Sequence, residues 1–287
     1  MTIINKRPTP DGDTGAGIDQ VPVAAPATWP EPPSKGGGWK RTALIVAIAA
    51  TYLWSFWGTE FSLVKLVKGV PEVFSFLFIR MQPPSLNIIP LALRYTLQTL
   101  QIAIVGTTLA AILSLPIGFL AAKNTTPNAT AYQVTRGILN IIRTIPDLVM
   151  ALIFAGAVGL GPFAGTLAVG VHSVGMLGKL YSESVEGIDP GPVEAATACG
   201  LNKTQTLFFA VLPQVIPNFI GFTLYRWEIN VRAATVVGMV GGGGIGFILM
   251  ENLRLFNLHD SSMILIMIYI MVQLIDFISA RVRLRII

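Results

Sequence analysis

Two pairs of opposite charge stand four residues apart inside otherwise apolar stretches. They are Arg143 with Asp147 in IIRTIPD, and Glu228 with Arg232 in YRWEINVR, the second pair flanked by Arg226 and Asn230. Four residues is about one helical turn, so each pair is expected to share a helix face. Ionised side chains inside a membrane span are costly and mark functional positions by default. Guanidinium groups bind phosphorus oxyanions through forked hydrogen bonds, and a carboxylate neighbour keeps each from holding the anion too firmly to release it. The pairs read as an anion route; beside that reading stands another, two self-neutralising pairs that only fix helix packing. Thr96, Thr107 and Ser114, with Thr99 alongside, fall on one face of a further apolar stretch. They either line the same route or bond to neighbouring helices and to their own backbone.

Other chemistries find little support. A single cysteine, Cys199, excludes a disulfide framework and a multi-cysteine metal site, and His172 and His259 lack ligand spacing. Gly241, Gly243 and Gly246 satisfy G-x-G-x-x-G, but no strand–helix context surrounds them and no Gly-Lys-Ser/Thr follows. Together with Gly242 and Gly244 they are expected to break a helix and admit close backbone approach, as a hinge or gate. No nucleophile–base pair is evident, so neither covalent catalysis nor a cofactor bound by this chain is expected. The net charge of +5 is scattered over loop ends and spans with no basic stripe, which argues against a nucleic-acid partner.

The elements that must hold these residues are apolar helices. The 287-residue chain has mean hydropathy +0.65 and 12% charged residues, and its charges cluster between apolar runs. Those runs reach the roughly 20 residues that a helix needs to cross a hydrocarbon core. The reading is an all-α, polytopic membrane protein with six transmembrane helices, near residues 42–58, 89–122, 131–158, 163–181, 217–240 and 262–279. Residues 1–39, rich in Pro, Gly, Asp and Thr, are expected as a disordered cytoplasmic tail with no signal-peptide pattern. Residues 40–88 would hold the first span and an outer interfacial helix at 61–80, and residues 89–287 the core domain. Six spans put both termini on one side. Lys35, Lys40, Arg41, Lys123, Lys203 and three C-terminal arginines, against Lys65, Lys68, Arg80 and Arg254, make that side cytoplasmic.

Between the fourth and fifth spans lies a charged, proline-punctuated segment, residues 183–217, ESVEGIDPGPVEAATACGLNKTQTLFFAVLPQVIP. An amphipathic turn of helix between two spans, facing water, is a handle for a soluble partner. Glu194-Ala195-Ala196, then Gly200, then Leu212-Pro213 resemble the EAA loop of ABC-importer membrane subunits, with Ala210 where that family has a bulky aliphatic residue. Residues 143–169, 178–189, 212–218 and 224–246, with Asp276 and Arg281, are similar to phosphonate-transporter permeases, a likeness covering residues 90–285.

That resemblance implies a type I ABC importer transmembrane domain in a bacterial inner membrane. It implies a permease rather than an enzyme, moving phosphonate, phosphite or a related phosphorus oxyanion into the cytoplasm. The implied partners are a second copy of the chain, a cytoplasmic ABC ATPase dimer holding ATP and Mg, and an extracytoplasmic solute-binding protein. Coupling to the ATPase falls to Glu194, Ala195, Ala196, Gly200, Leu212 and Pro213. Two other readings remain: an importer permease for another solute such as an amino acid, and an ion-coupled secondary transporter, which should show a repeat of discontinuous helices.

Overall fold

A computed structural model describes residues 38–286. The expected tail, residues 1–39, lies outside the described residues except for its last two, which begin the first helix. The chain divides between Lys65 and Leu66 into two compact units. In the first, α1 (Gly38–Gly58) is a helix whose apolar side chains, Leu44, Leu53, Trp54 and Trp57 among them, are exposed along its length. α2 (Leu63–Ser75) begins at the end of this unit and continues through a π-helical turn over Phe76–Arg80. The helix expected at residues 61–80 is therefore present, and it ends where Gln82-Pro83-Pro84 cannot extend it.

The second unit is built on α3 (Ile89–Leu120) packed along α6 (Pro162–Glu186). Ala103, Gly106, Thr107, Ala110, Ser114 and Gly118 recur at three- and four-residue steps and are all buried. Small residues at that spacing let two helix backbones approach closely. A Cβ on Gly106 would lie 3.3 Å from the Thr166 carbonyl, and one on Gly118 would lie 2.8 Å from the Tyr181 Cβ. Leu177, Tyr181 and Val185 of α6 then form one core with Val211, Val215 and Phe219. Tyr181 stacks on Phe219 with ring centroids 4.1 Å apart.

The stretch expected as a straight third span is broken. Asn128 caps α4 (Ala129–Thr144) by accepting the Ala131 N–H at 2.7 Å. Ile145 and Pro146 are extended, and α5 (Asp147–Val158) departs at 91°. Pro146 has no N–H for the helix ladder and disfavours helical geometry at Ile145, which is sufficient cause. Arg143 and Asp147 therefore stand on different helices, and the helix face they were expected to share does not exist.

The handle folds as α7 (Pro190–Ala198) and α8 (Lys203–Thr206). Asp189 caps α7, Gly200 (φ +81°) closes it in the left-handed region, and Asn202 with Gln205 forms a reciprocal capping box on α8. A π-helical turn at Leu207–Val211 leads into α9 (Leu212–Val237), which ends in a second such turn, Gly238–Gly242. Gly241, Gly243 and Gly244 have φ of +98°, +74° and +73°, so the glycine run does break the helix. α10 (Ile245–Arg254) and α11 (Leu258–Ile286) complete the chain.

Among the described residues, four helical stretches are long and apolar enough to cross a membrane, or five if α4 and α5 are one bent span. Six were expected, and α1 makes the difference. It is helical over 21 residues, but Lys40, Arg41 and its Thr, Ser, Tyr and Trp residues keep it out of that set.

Gly246 sits where a Cβ would run into the Thr235 carbonyl, whereas a Cβ on Gly137 of α4 meets nothing within 4 Å. Gly246→Ala should lower the thermal midpoint of the detergent-solubilised chain, at a cost of about 1–3 kcal/mol. Gly137→Ala should leave it unchanged or raise it, since Ala is the better helix former by about 1 kcal/mol. Equal midpoints would contradict the close approach of α9 and α10.

Candidate functional site

The polar residues singled out by spacing resolve into a buried node, an ion network, an exposed handle and a glycine junction. The node ties α3, α5, α6 and α9. Asn230, fully buried, donates from Nδ2 to Thr107 Oγ1 at 2.7 Å and to Ser173 Oγ at 2.8 Å. Arg226, only 2% exposed, donates from Nε to the same Ser173 oxygen at 2.9 Å. Its Nη2 lies 2.6 Å from His172 Nδ1 and 3.9 Å from Asp147 Oδ1. His172 Nδ1 in turn stands 2.7 Å from Asp147 Oδ1. One ring nitrogen thus faces a donor and an acceptor together, and it satisfies Arg226 when bare or Asp147 when protonated.

Asp147 therefore pairs with His172 and Arg226, not with Arg143, which is half-buried in the last turn of α4. Sequence reasoning passed over His172 and Ser173. The signal for His172 was present, since an ionisable group in a span is suspect whatever its spacing to other ligands.

The second charged pair forms as its spacing requires, and it has further partners. Arg232 Nη2 lies 2.9 Å from Glu228 Oε1 and 2.6 Å from Asp276 Oδ1 of α11, while Arg283 Nη2 lies 3.4 Å from Glu228 Oε2. Four alternating charges join α9 to α11, with the Arg232 side chain about half exposed at 47%. Two carboxylates occupy this guanidinium, which leaves it poorly placed to receive an anion.

Thr96, Thr99, Thr107 and Ser114 are buried between helices. Thr96, Thr99 and Thr107 donate to the carbonyls of Ala92, Tyr95 and Ala103, one turn back, and Ser114 to the carbonyl of Val174 on α6. The geometry is that of the packing alternative, with hydroxyls already spent.

On the handle, Glu194 and Ala195 are exposed, while Val193 and Ala196 turn partly inward. Its base is held at three points. The Asp189 N–H donates to Gln214 Oε1 at 3.0 Å, Asn218 Nδ2 donates to Ser184 Oγ at 3.1 Å, and Glu186 pairs with Arg136 of α4 at 2.8 Å. Leu212 packs on the core of Tyr181, Val211, Val215 and Phe219, and Pro213 stands in the first turn of α9. The end of α6 that leads into the exposed helix is thereby tied to α4 and α9, and the helix's N-cap to α9.

The glycine run packs backbone to backbone. The Gly161 N–H donates to the Gly241 carbonyl at 2.8 Å, and Gly165 and Gly242 approach too closely for a Cβ on Gly165. At the start of α10, the Gly244 N–H donates to Gln98 Oε1 and the Ile245 N–H to Thr99 Oγ1. Side chains of α3 therefore occupy these amides, and the G-x-G-x-x-G spacing makes no phosphate cradle here.

Burial separates the two arginine clusters energetically. Arg226→Ala strands buried partners and should destabilise the chain by about 3 kcal/mol. Arg232→Ala removes a half-exposed pair and should cost less than about 1 kcal/mol. Thermal unfolding in detergent reads both, and a larger loss from Arg232→Ala would invert this assignment.

Residues 114–286 match the model of the family described as "Binding-protein-dependent transport system inner membrane component". Among curated proteins, the chain is 41% identical over 248 residues to the phosphite transport system permease protein PtxC of Stutzerimonas stutzeri, covering 86% of this chain and 90% of that one. It is 38% identical over 242 residues to the putative phosphite transport system permease protein HtxC of the same organism, covering 84% and 85%. It is also 40% identical over 212 residues to the phosphate-import permease protein PhnE of Mycolicibacterium smegmatis, covering 74% of this chain and 40% of that one. In structure it is similar to an inward-facing form of the MetNI methionine ABC transporter, with TM-score 0.62 and 22% identity over 71% of this chain and 99% of that one; this shows the fold alone. With over half its length matched by the family model and near full-length relatives at this identity, the chain belongs to the family of inner-membrane components of binding-protein-dependent transport systems.

Proposed function

We propose that this chain is the membrane-spanning permease of an ATP-driven importer that carries phosphite, a phosphonate or a related phosphorus oxyanion into the cytoplasm. The observation that carries the mechanism is α7, a capped helix exposed at Glu194 and Ala195, whose N-cap residue Asp189 bonds to α9 directly after an α6 end that is tied to α4 and α9. A mobile loop would absorb a push; a capped helix bonded to α9 and following a braced α6 end passes it on. The substrate class rests on the likeness, over more than four fifths of each chain, to permeases named for phosphite transport.

In this reading two copies of the chain surround the path, both termini are cytoplasmic, and α7 meets a cytoplasmic ATPase dimer that holds ATP and Mg2+. A solute-binding protein delivers the anion on the other side. Closure of the ATPase dimer displaces α7, and Gln214, Leu212 and Pro213 carry the movement into α9. At the far end of α9, the glycine run at Gly241, Gly242, Gly243, Gly244 and Gly246 is the hinge or gate. The path changes the side to which it opens, as a two-state element biased by ATP.

Two measurements test this. In the reconstituted complex with its ATPase and binding protein, ATP hydrolysis should rise with phosphite or methylphosphonate and stay flat with methionine or histidine; the reverse would make the chain an amino-acid permease. Glu194→Lys should insert and dimerise as the unmodified chain does but lose uptake about tenfold or more while basal hydrolysis persists. Normal uptake by that variant would remove α7 from the coupling.

A further inference from the structure

Transport of an oxyanion needs a cationic or amide-lined surface open to the path, and neither arginine cluster above provides it. Arg226 is buried and satisfied, and Arg232 is held by two carboxylates. The opposite face of α3 differs. Arg94, Gln98, Gln101 and Thr108 follow one another at steps of four, three and seven residues, within an arc of about 80° at 3.6 residues per turn. Arg94, Gln101 and Thr108 are exposed and Gln98 is half-buried, while Thr96, Thr99 and Thr107 fill the buried side. Arg94 has no ion-pair or hydrogen-bond partner among the described residues, nor does the Gln101 amide. Arg94, Gln98 and Gln101, with Tyr95 and Leu97, line a shallow open depression on the surface of α3.

Position makes this stripe unusual. α3 has 32 residues and the highest apolar content short of α11 among the spanning helices. At 1.5 Å per residue it is about 48 Å long, against a hydrocarbon core of about 30 Å. Centred on the bilayer, it places Arg94 at the edge of the core, with Gln101 and Thr108 inside it. Against lipid, the free amide of Gln101 would lie unpaired in hydrocarbon, and Arg94 would have to reach back to the interface. The stripe is better satisfied where it meets water or polar partners. Its far end approaches the coupling segment, since Phe119 and Thr125 line one cavity with Val193 and Lys203. Gln98 also holds the glycine junction through the Gly244 N–H.

We propose that Arg94, Gln98 and Gln101 form a binding station for a tetrahedral phosphorus oxyanion in the conduit, at the end remote from the ATPase. Arg94 supplies the forked cationic contact, and the amides of Gln98 and Gln101 supply neutral donors that hold the anion more weakly as it descends. Binding at Gln98 is felt at the glycine junction through the bond that side chain already makes. The proposal deepens the transport reading above and rests on it. It also assigns the site to transported solute, rather than to the phosphate of a lipid headgroup.

The test places a cysteine at position 101 (Gln101→Cys, with Cys199→Ser) in the reconstituted complex. A membrane-impermeant anionic methanethiosulfonate should label it faster than a cationic one, Arg94→Ala should erase that preference, and phosphite should protect the thiol. In uptake, Arg94→Ala should raise KM for phosphite about tenfold with dimer assembly and basal ATP hydrolysis unchanged, and Arg94→Lys should recover part of the loss. Labelling only by a lipid-soluble maleimide would put the stripe against lipid. Spontaneous 101–101 cross-linking without impermeant labelling would put it between copies. Either result, or an Arg94→Ala variant with unaltered KM and labelling, overturns the proposal. Failure of the unmodified complex to take up phosphite would strike the transport reading instead, while the charge preference at position 101 would still decide whether Arg94 addresses an aqueous anion path.

Discussion

A bilayer interior offers no hydrogen-bond partners, and that shortage governs where each polar side chain of this protein stands. Asn230 answers it by bonding to Thr107 and Ser173, which joins three helices through one amide. Arg226 answers it with Ser173, His172 and the nearby Asp147, and the threonines of α3 with carbonyls of the preceding turn. Once those groups are satisfied inside the protein, the polar groups left over on an apolar helix become informative. Helix packing by small residues makes this possible, because the close contact of α3 and α6 brings Thr107 and Ser173 within reach of one side chain on α9.

In the proposed mechanism the same unit carries force. α6 runs from the glycine junction, where Gly165 meets Gly242, to Glu186, which is clasped by Arg136 beside the handle. α9 runs parallel in role, from Leu212 and Gln214 at the handle to Gly238 at the junction. A displacement of α7 therefore reaches the glycine run through two helices that touch along their length. The network of Arg232, Glu228, Asp276 and Arg283 ties α11 to α9.

Much of this was legible in the residues. Apolar run length gives an all-helical membrane protein, and charge with proline punctuation over residues 183–217 marks the handle, whose caps at Asp189, Gly200 and Asn202 come only from the structure. The Glu228–Arg232 pair forms because nothing interrupts α9 between them. Arg143–Asp147 fails because Pro146 lies between its members, and a four-residue spacing has meaning only within one helix. The hydroxyl periodicity of α3 correctly identifies a face, but periodicity does not say which face is buried. The stripe at Arg94, Gln98 and Gln101 has the same period half a turn away. Long-range partners such as Asp276 for Arg232, or His172 for Asp147, depend on helix packing that no local pattern encodes. Of the six expected spans, α1 is the one that length and composition do not support, because charge and amphipathic aromatic residues dilute a short apolar run.

The account depends on energy entering from outside the chain. Phosphite uptake into proteoliposomes should therefore be measured for the complete complex with ATP, for the complex with ADP, and for this chain alone under an imposed proton or sodium gradient. Accumulation only with the ATPase and ATP is the result the account predicts. Concentrative uptake by the chain alone, driven by the gradient, would contradict it.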